Sequence, residues 1–190
     1  TWDPKDRVAV GDIYPKAVGG WNNTFKYKRF DMAVNFVYRI GGKIYDSSSK
    51  RPLGTFDGDA WNHRVDQFDR WHKPGDIATY PVLTQYPSTY GSSTPWINTN
   101  LWLKDASYFR LRNLSIYYGF SEKMMKKIKF TTGRVGIIAT NVFVFTKFQG
   151  VDPEVVRDFE SPTDRNMSPN ITYLTPPQER SFILALNLGF

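Results

Sequence analysis

The sequence predicts an all-β chain whose antiparallel strands form one segment of a large transmembrane β-barrel, with long loops and a short loop helix. Three observations carry that reading. The last stretch, RSFILALNLGF, places Phe182, Leu184, Leu186, Leu188 and Phe190 on one parity and Ser181, Ile183, Ala185, Asn187 and Gly189 on the other. Side chains of a strand alternate between its faces, so one face here is large and apolar and the other small or weakly polar. Connections alternate between short and long, and compact soluble domains seldom hold structureless loops beyond about 12–15 residues. Outer-membrane barrels have that asymmetry by rule, with short turns at one end and long loops at the other. Aromatic residues make up 16% of the chain, and such rings are enriched in strands and at membrane interfaces. Mean hydropathy is −0.46, and no run approaches the roughly 18 apolar residues of a membrane helix.

The elements follow in order. NTFKYKRF is a short alternating run (Phe25, Tyr27) that enters a tight turn near Lys28 to Asp31. DMAVNFVYRI then sets Met32, Val34, Phe36, Tyr38 and Ile40 against Asp31, Ala33, Asn35, Val37 and Arg39. Gly41 to Asp105 reads as a long irregular connection. Within it DGDAWNHRVDQFDRW predicts a short helix, with Asp59 as N-cap and Trp61, Val65 and Phe68 at i, i+4 and i+7. Pro74 and Gly75 stop it. Ser107 to Phe120 is the next strand: Phe109 and Leu111 share one parity, Leu114, Ile116, Tyr118 and Phe120 the other. A β-bulge near Arg112–Asn113 accounts for the slip. SEKMMKKIK is a short connection into a strand over Phe130–Asn141. Val142 to Glu179, punctuated by five prolines, is a second long connection before the terminal strand. In hydrocarbon every backbone group must be bonded internally, so such strands belong to a closed barrel. Five strands do not close one, and the chain reads as a fragment of a wall.

Composition removes other classes. Cysteine is absent, which excludes disulfides and thiolate metal sites. His63 and His72, both in one short stretch, leave no Ser–His–Asp constellation, and no catalytic residue, metal or cofactor is expected. Asp57-Gly58-Asp59 lacks the later ligands of a calcium loop and reads as a capping turn. Asp152-Pro153-Glu154 offers two carboxylates of the kind that acid–base chemistry uses. The net charge is +7, and its densest cluster is Lys123, Lys126, Lys127 and Lys129. Interleaved with Met124, Met125 and Ile128, it reads as a solvated turn; no nucleic-acid partner is expected. The Asn-x-Ser/Thr triplets at Asn22, Asn113, Asn166 and Asn170 carry no glycan expectation, Asn113 lying inside a strand.

GDIYPKAVGGWNNTFKYKRFDMAVNFVYRIGGKIYD, RWHKPGD, LKDASYFRLRNLSIYYGF, TNVFVFTKFQGVDPEV and PQERSFILALNLGF resemble, in that order, the C-terminal part of SusC/RagA-type TonB-linked outer-membrane transporters. SYFRLRNLSIYY and GVDPE are the most specific, and the resemblance implies that Asp152-Pro153-Glu154 is a structural turn in an extracellular loop rather than an acid–base pair. The resemblance implies a plugged barrel of roughly 22 strands in the outer membrane of a Gram-negative, Bacteroidetes-type cell. It implies import of oligosaccharides or peptides with a SusD-like surface lipoprotein, driven by TonB–ExbB–ExbD. The signal peptide, TonB box and plug are expected upstream of Thr1, with residues 1–190 forming one barrel segment. Phe190 resembles the signal read by the barrel-assembly machinery. Since a barrel interior is polar, Asp31, Asn35, Arg39, Arg110 and Arg112 are expected to face the lumen or plug. Trp61, Trp71, Trp96, Trp102, Tyr86 and Tyr90 in the long loops either stack on ligand, meet the lipoprotein lid, or pack within the loops. The alternative class is a soluble β-rich carbohydrate-binding module using those aromatic loops.

Overall fold

Eleven residues of β1 (Ala17–Tyr27) pair with eleven of β2 (Phe30–Ile40) in an unbroken antiparallel ladder from Ala17↔Ile40 to Tyr27↔Phe30. The computed structural model describes residues 8–50, 64–80, 99–155 and 175–190, together with 5, 82, 171 and 172. The loop closing this hairpin holds Lys28 at φ 54°, the left-handed conformation that matches tight-hairpin twist and that side chains other than glycine adopt at a cost. β1 starts earlier than the alternation in NTFKYKRF suggests. Main-chain pairing carries it through the Gly19-Gly20 stretch, which has no side-chain pattern to read.

The chain continues through β3 (Lys43–Asp46), α1 (Ser47–Lys50), β4 (Leu103–Asp105), β5 (Tyr108–Gly119), α2 (Glu122–Lys127), β6 (Thr132–Thr146), β7 (Ile171–Thr172) and β8 (Ser181–Gly189). The main sheet has the order β1-β2-β5-β6-β8, every neighbouring pair antiparallel. The predicted phase slip is a bulge: against β2 the register of β5 passes from Asn113↔Asn35 to Leu111↔Phe36, leaving Arg112 extra. β6 bulges opposite the same point, between Thr140 and Phe143, and Asn141 takes φ 50°. That bulge hides the continuity of β6, which runs to Thr146 instead of ending at Asn141. The second long connection therefore begins later than expected.

The register places the 41–107 and 147–180 connections at one end of the sheet and α2 at the other. The long connections are not wholly irregular. β3 pairs antiparallel with β4 and parallel with β7, so segments of both connections meet in a second, three-stranded sheet. Strands of two to four residues are too short to print an alternation in the sequence. Beneath it Ile44, Ala106 and Phe148 form a buried cluster. Asp46 is buried and accepts from the Ser49 N–H at 3.1 Å and the Thr172 hydroxyl at 3.3 Å, tying the two connections together.

The predicted loop helix departs from expectation. Residues 65–68 form a single 3-10 turn preceded by Arg64, with no side-chain cap. Val65 and Phe68 are exposed, so no core pulls that stripe into a longer helix; Asp59 and Trp61 lie outside the described residues. Conversely, the SEKMMKKIK connection contains a helical turn. The Ser121 hydroxyl accepts from the Met124 N–H at 3.3 Å, with Glu122 in the first turn and Lys126 and Lys127 in the last, the charge order a helix dipole favours.

Candidate membrane-facing wall and its polar reverse

Residues paired across an antiparallel ladder share a face, so the register extends the parity of β8 through the whole sheet. Phe182, Leu184 and Leu186 pair with Ala139, Ile137 and Val135; these pair with Leu114, Ile116 and Tyr118, and those with Val34, Met32 and Phe30. Past the bulge the face continues as Phe143, Leu111, Phe36 and Trp21. This face is apolar across all five strands save for Asn23 of β1, which pairs with Val34, and Phe182, Leu184 and Leu186 are 61–76% exposed. Within the described chain Met125 of α2 seats at its short-turn edge, against Gly133 and Leu188, and the extent left open exceeds what a water-soluble surface ordinarily carries.

Aromatic contacts concentrate at its two ends. Near the short turns lie Phe30–Tyr118 (4.9 Å), Tyr118–Phe120 (6.0 Å) and Phe130–Phe190 (5.0 Å). Near the long connections lie Trp21–Phe36 (5.5 Å), Phe36–Phe109 (4.9 Å) and Phe143–Phe145 (4.9 Å). Aliphatic residues fill the middle. From Tyr118 to Phe109 the strand rises about 30 Å, at about 3.3 Å per residue. Tilted by about 40° this spans about 23 Å, close to the ~25 Å apolar band between the aromatic girdles of outer-membrane barrels.

The opposite face is mixed, with polar and charged side chains set among Ala33, Val37, Ile138 and Ile183. Asp31, Asn35 and Arg39 share it. Lys26 approaches Asp31 at 3.9 Å, an exposed pair worth little. Asn35 donates to Asn22, and the Arg39 guanidinium donates to the Ile13 carbonyl at 3.0 Å. The Arg134 guanidinium stands over the Tyr117 ring at 4.8 Å. That ring lies across Gly136, where an added Cβ would come within 2.2 Å of it.

Arg110 and Arg112 anchor the most connected polar group on this face. Arg110 reaches Asp152 at 2.5 Å and Glu154 at 3.0 Å. Arg112, from the bulge, pairs with Glu154, donates to Gln178, and reaches Asn141 at 3.3 Å. Asp152 also accepts the backbone N–H groups of Glu154 at 2.9 Å and Gln178 at 3.2 Å. Arg110 and Asp152 are 3% and 5% exposed, so the contact between them is largely desolvated, while the Arg112–Glu154 contact keeps partial access to solvent. The node pins both ends of the 147–180 connection to the wall. The sequence contained the signal: two arginines two residues apart in β5, and two carboxylates two residues apart around Pro153.

The loop aromatics separate. Trp102 takes the third of the expected roles and packs within the loops: it is 1% exposed and stacks on Tyr80 at 6.4 Å. It packs because the turn Asn100–Trp102 leads directly into β4. Burial, with Asp66 nearby, raises the Tyr80 hydroxyl pKa above its ordinary value. Trp71 sits at 36% exposure. Trp61, Tyr86, Tyr90 and Trp96, like Asp57 and Asp59, lie outside the described residues. Phe190 is almost fully exposed beside Phe130. Asp105 lies below the usual carboxylate range because the Ser107 side chain and then its N–H, at 2.7 Å, donate to it. Among the described residues no group of three or more His, Cys, Asp or Glu could hold a metal.

An all-β wall with one lipid-type face, one mixed face and its long connections at a single end is a segment of an outer-membrane β-barrel. Comparison places it more narrowly. No family model matches the chain. It is 29% identical over 185 residues to TonB-dependent receptor P3 of Formosa agariphila and 28% identical over 197 residues to TonB-dependent receptor P39 of the same organism. Each match covers 97% of this chain and 17% of the relative, so the chain spans about a sixth of their length. The fold superposes on the RagAB peptide importer in its "open-open" state with a TM-score of 0.72 at 20% identity. In the "closed-closed" state the values are 0.73 and 19%, and both cover 100% of this chain and 19% of the other. The chain is thus similar in sequence to part of TonB-dependent receptors and in fold to part of the RagAB importer, in keeping with the SusC/RagA-type resemblance.

Proposed function

We propose that this chain forms part of the barrel wall of a TonB-dependent transporter that imports a nutrient across the outer membrane. The observation that carries the proposal is the continuous apolar face of the main sheet, bounded at both ends by aromatic contacts and backed by a mixed face. A soluble binding module has no use for such a face. Asp31, Asn35 and Arg39 line the lumen side, where they meet the plug or lumen water, while Arg110 and Arg112 on the same face are taken up by Asp152 and Glu154 of the 147–180 connection. The cargo is an oligosaccharide or a peptide, delivered by a SusD-like lipoprotein at the end carrying the long connections. Energy comes from TonB–ExbB–ExbD acting through parts of the protein outside this chain, and Phe190 serves recognition by the barrel-assembly machinery.

Deletion of the gene encoding the parent protein is expected to abolish growth on one oligosaccharide or peptide source and to leave growth on simple sugars intact. Isolated residues 1–190 are expected to aggregate in water through their open edges and apolar face. Recovery of that fragment as a detergent-free monomer binding a glycan at micromolar affinity would establish the soluble-module reading instead.

A further inference from the structure

The import reading gives the cationic turn holding α2 no part, and its placement fits a ligand of its own. Lys123, Lys126, Lys127 and Lys129 are all exposed, as are Met124 at 45% and Ile128 at 51%. Met125 alone turns inward and is 1% exposed. The side on which it seats decides what the lysines face. Gly133 pairs with Leu188 and so points to the apolar face of the sheet. A Cβ at Gly133 would meet the Met125 sulfur at 2.3 Å, Phe120 at 3.1 Å and Leu188 at 3.2 Å. Met125 therefore locks α2 onto the apolar side, under the aromatic belt of Tyr118, Phe120, Phe130 and Phe190, and not onto the polar side. Successive helix residues turn by about 100°. Lys123 and Lys127 accordingly project away from Met125, with Met124 and Ile128 on one flank.

The neighbouring hairpin adds to the charge. Lys28 and Arg29 are exposed at the same end, and the Arg29 carbonyl accepts from the Gly119 N–H at 2.8 Å. The acidic residues facing this group are Glu122, 3.9 Å from Lys126, and Asp31, across the sheet on the polar face. Six cations thus meet one nearby carboxylate at the rim of a lipid-facing wall.

We propose that this rim is a binding surface for anionic phospholipid headgroups in the leaflet at the short-turn end. Met124 and Ile128 dip into the acyl boundary while the lysines extend to the phosphates, as long cationic side chains do at interfaces. The proposal rests on the membrane-wall reading, and its test separates the two. The full-length protein is reconstituted into vesicles of phosphatidylethanolamine with about one fifth phosphatidylglycerol, extracted mildly, and analysed for retained lipid by native mass spectrometry. Near a membrane surface each basic residue contributes about 1 kcal/mol, or roughly fivefold in affinity.

The wild type is expected to retain phosphatidylglycerol over phosphatidylethanolamine. The K123Q/K126Q/K127Q/K129Q variant should lose at least fivefold of that preference, and the matching four-arginine variant should keep it. Heat-modifiable migration reports folding of each variant independently. A folded glutamine variant with unchanged preference, or a folded wild type with none, overturns the lipid site and leaves the barrel reading standing. Failure of the wild type to insert into vesicles overturns both.

Discussion

Replacing Arg110 with methionine removes the cation that faces two carboxylates at the root of the 147–180 connection. Asp152, 5% exposed, and Glu154 would then share only Arg112, which contacts Glu154 and not Asp152. Removing one partner of a buried ion pair costs about 3–5 kcal/mol, because the charge left behind stays desolvated. Removing Asp152 instead leaves Arg110 paired with Glu154 at 3.0 Å, so Asp152→Ala should cost less, about 1.5–3 kcal/mol. The cost falls on a connection that can open locally, so hydrogen exchange reads it better than global melting. The reporters are the Glu154 and Gln178 amides, both bonded to the Asp152 carboxylate. In the full-length protein, Arg110→Met should speed their exchange by about two to three and a half orders of magnitude, since about 1.4 kcal/mol is tenfold. Arg110→Lys should fall between, keeping the charge and losing the two-pronged geometry. Exchange within twofold of wild type in Arg110→Met would refute the node as the anchor of this connection.

Gly136→Val sets a branched side chain into the Tyr117 ring and should cost about 1–3 kcal/mol by overpacking, read as a smaller heat-modifiable fraction on gels; Gly136→Ala should cost less. Leu184→Arg places a charge on the lipid face and should destabilise by about 2–4 kcal/mol near the bilayer midplane, while Ile183→Ser on the reverse face should be milder. Both are measured by denaturant titration in vesicles. Asp105 has a depressed folded-state pKa, so its stabilising contribution is present above the ordinary aspartate value of about 4 and is lost as pH falls through the lower folded value. Exchange of the Ser107 amide, which donates to that carboxylate, should accelerate through this window, and Asp105→Asn should flatten the dependence.

The main sheet was legible because a strand half-buried in lipid prints a period of two, and the runs in β2 and β8 carry it without interruption. The slip at Arg112–Asn113 was legible as a bulge for the same reason. The end of β6 was not, since the bulge at Asn141 interrupts the pattern just before Phe143 and Phe145 restore it. β3, β4 and β7 escaped because their pairing joins residues far apart in the chain, and two to four residues hold no periodicity. The loop helix failed where its stripe found no surface to pack on: Val65 and Phe68 lie open. Arg110 and Arg112 could be assigned a face from parity, but the carboxylates they hold lie forty residues on. Only the fold brings Asp152 and Glu154 to them.

The central claim is that the parity of Phe182, Leu184, Leu186 and Leu188 meets lipid. Residues 1–190 contain no cysteine, so single cysteines can be introduced at 181–189 in the full-length protein, with any cysteine elsewhere replaced, and each labelled with an environment-sensitive fluorophore. Quenching by brominated acyl chains in vesicles is expected to be strong at 182, 184, 186 and 188 and weak at 181, 183, 185 and 187, a sawtooth of period two. A flat profile, or one in which the even positions are quenched by aqueous iodide and spared by brominated lipid, would contradict the account.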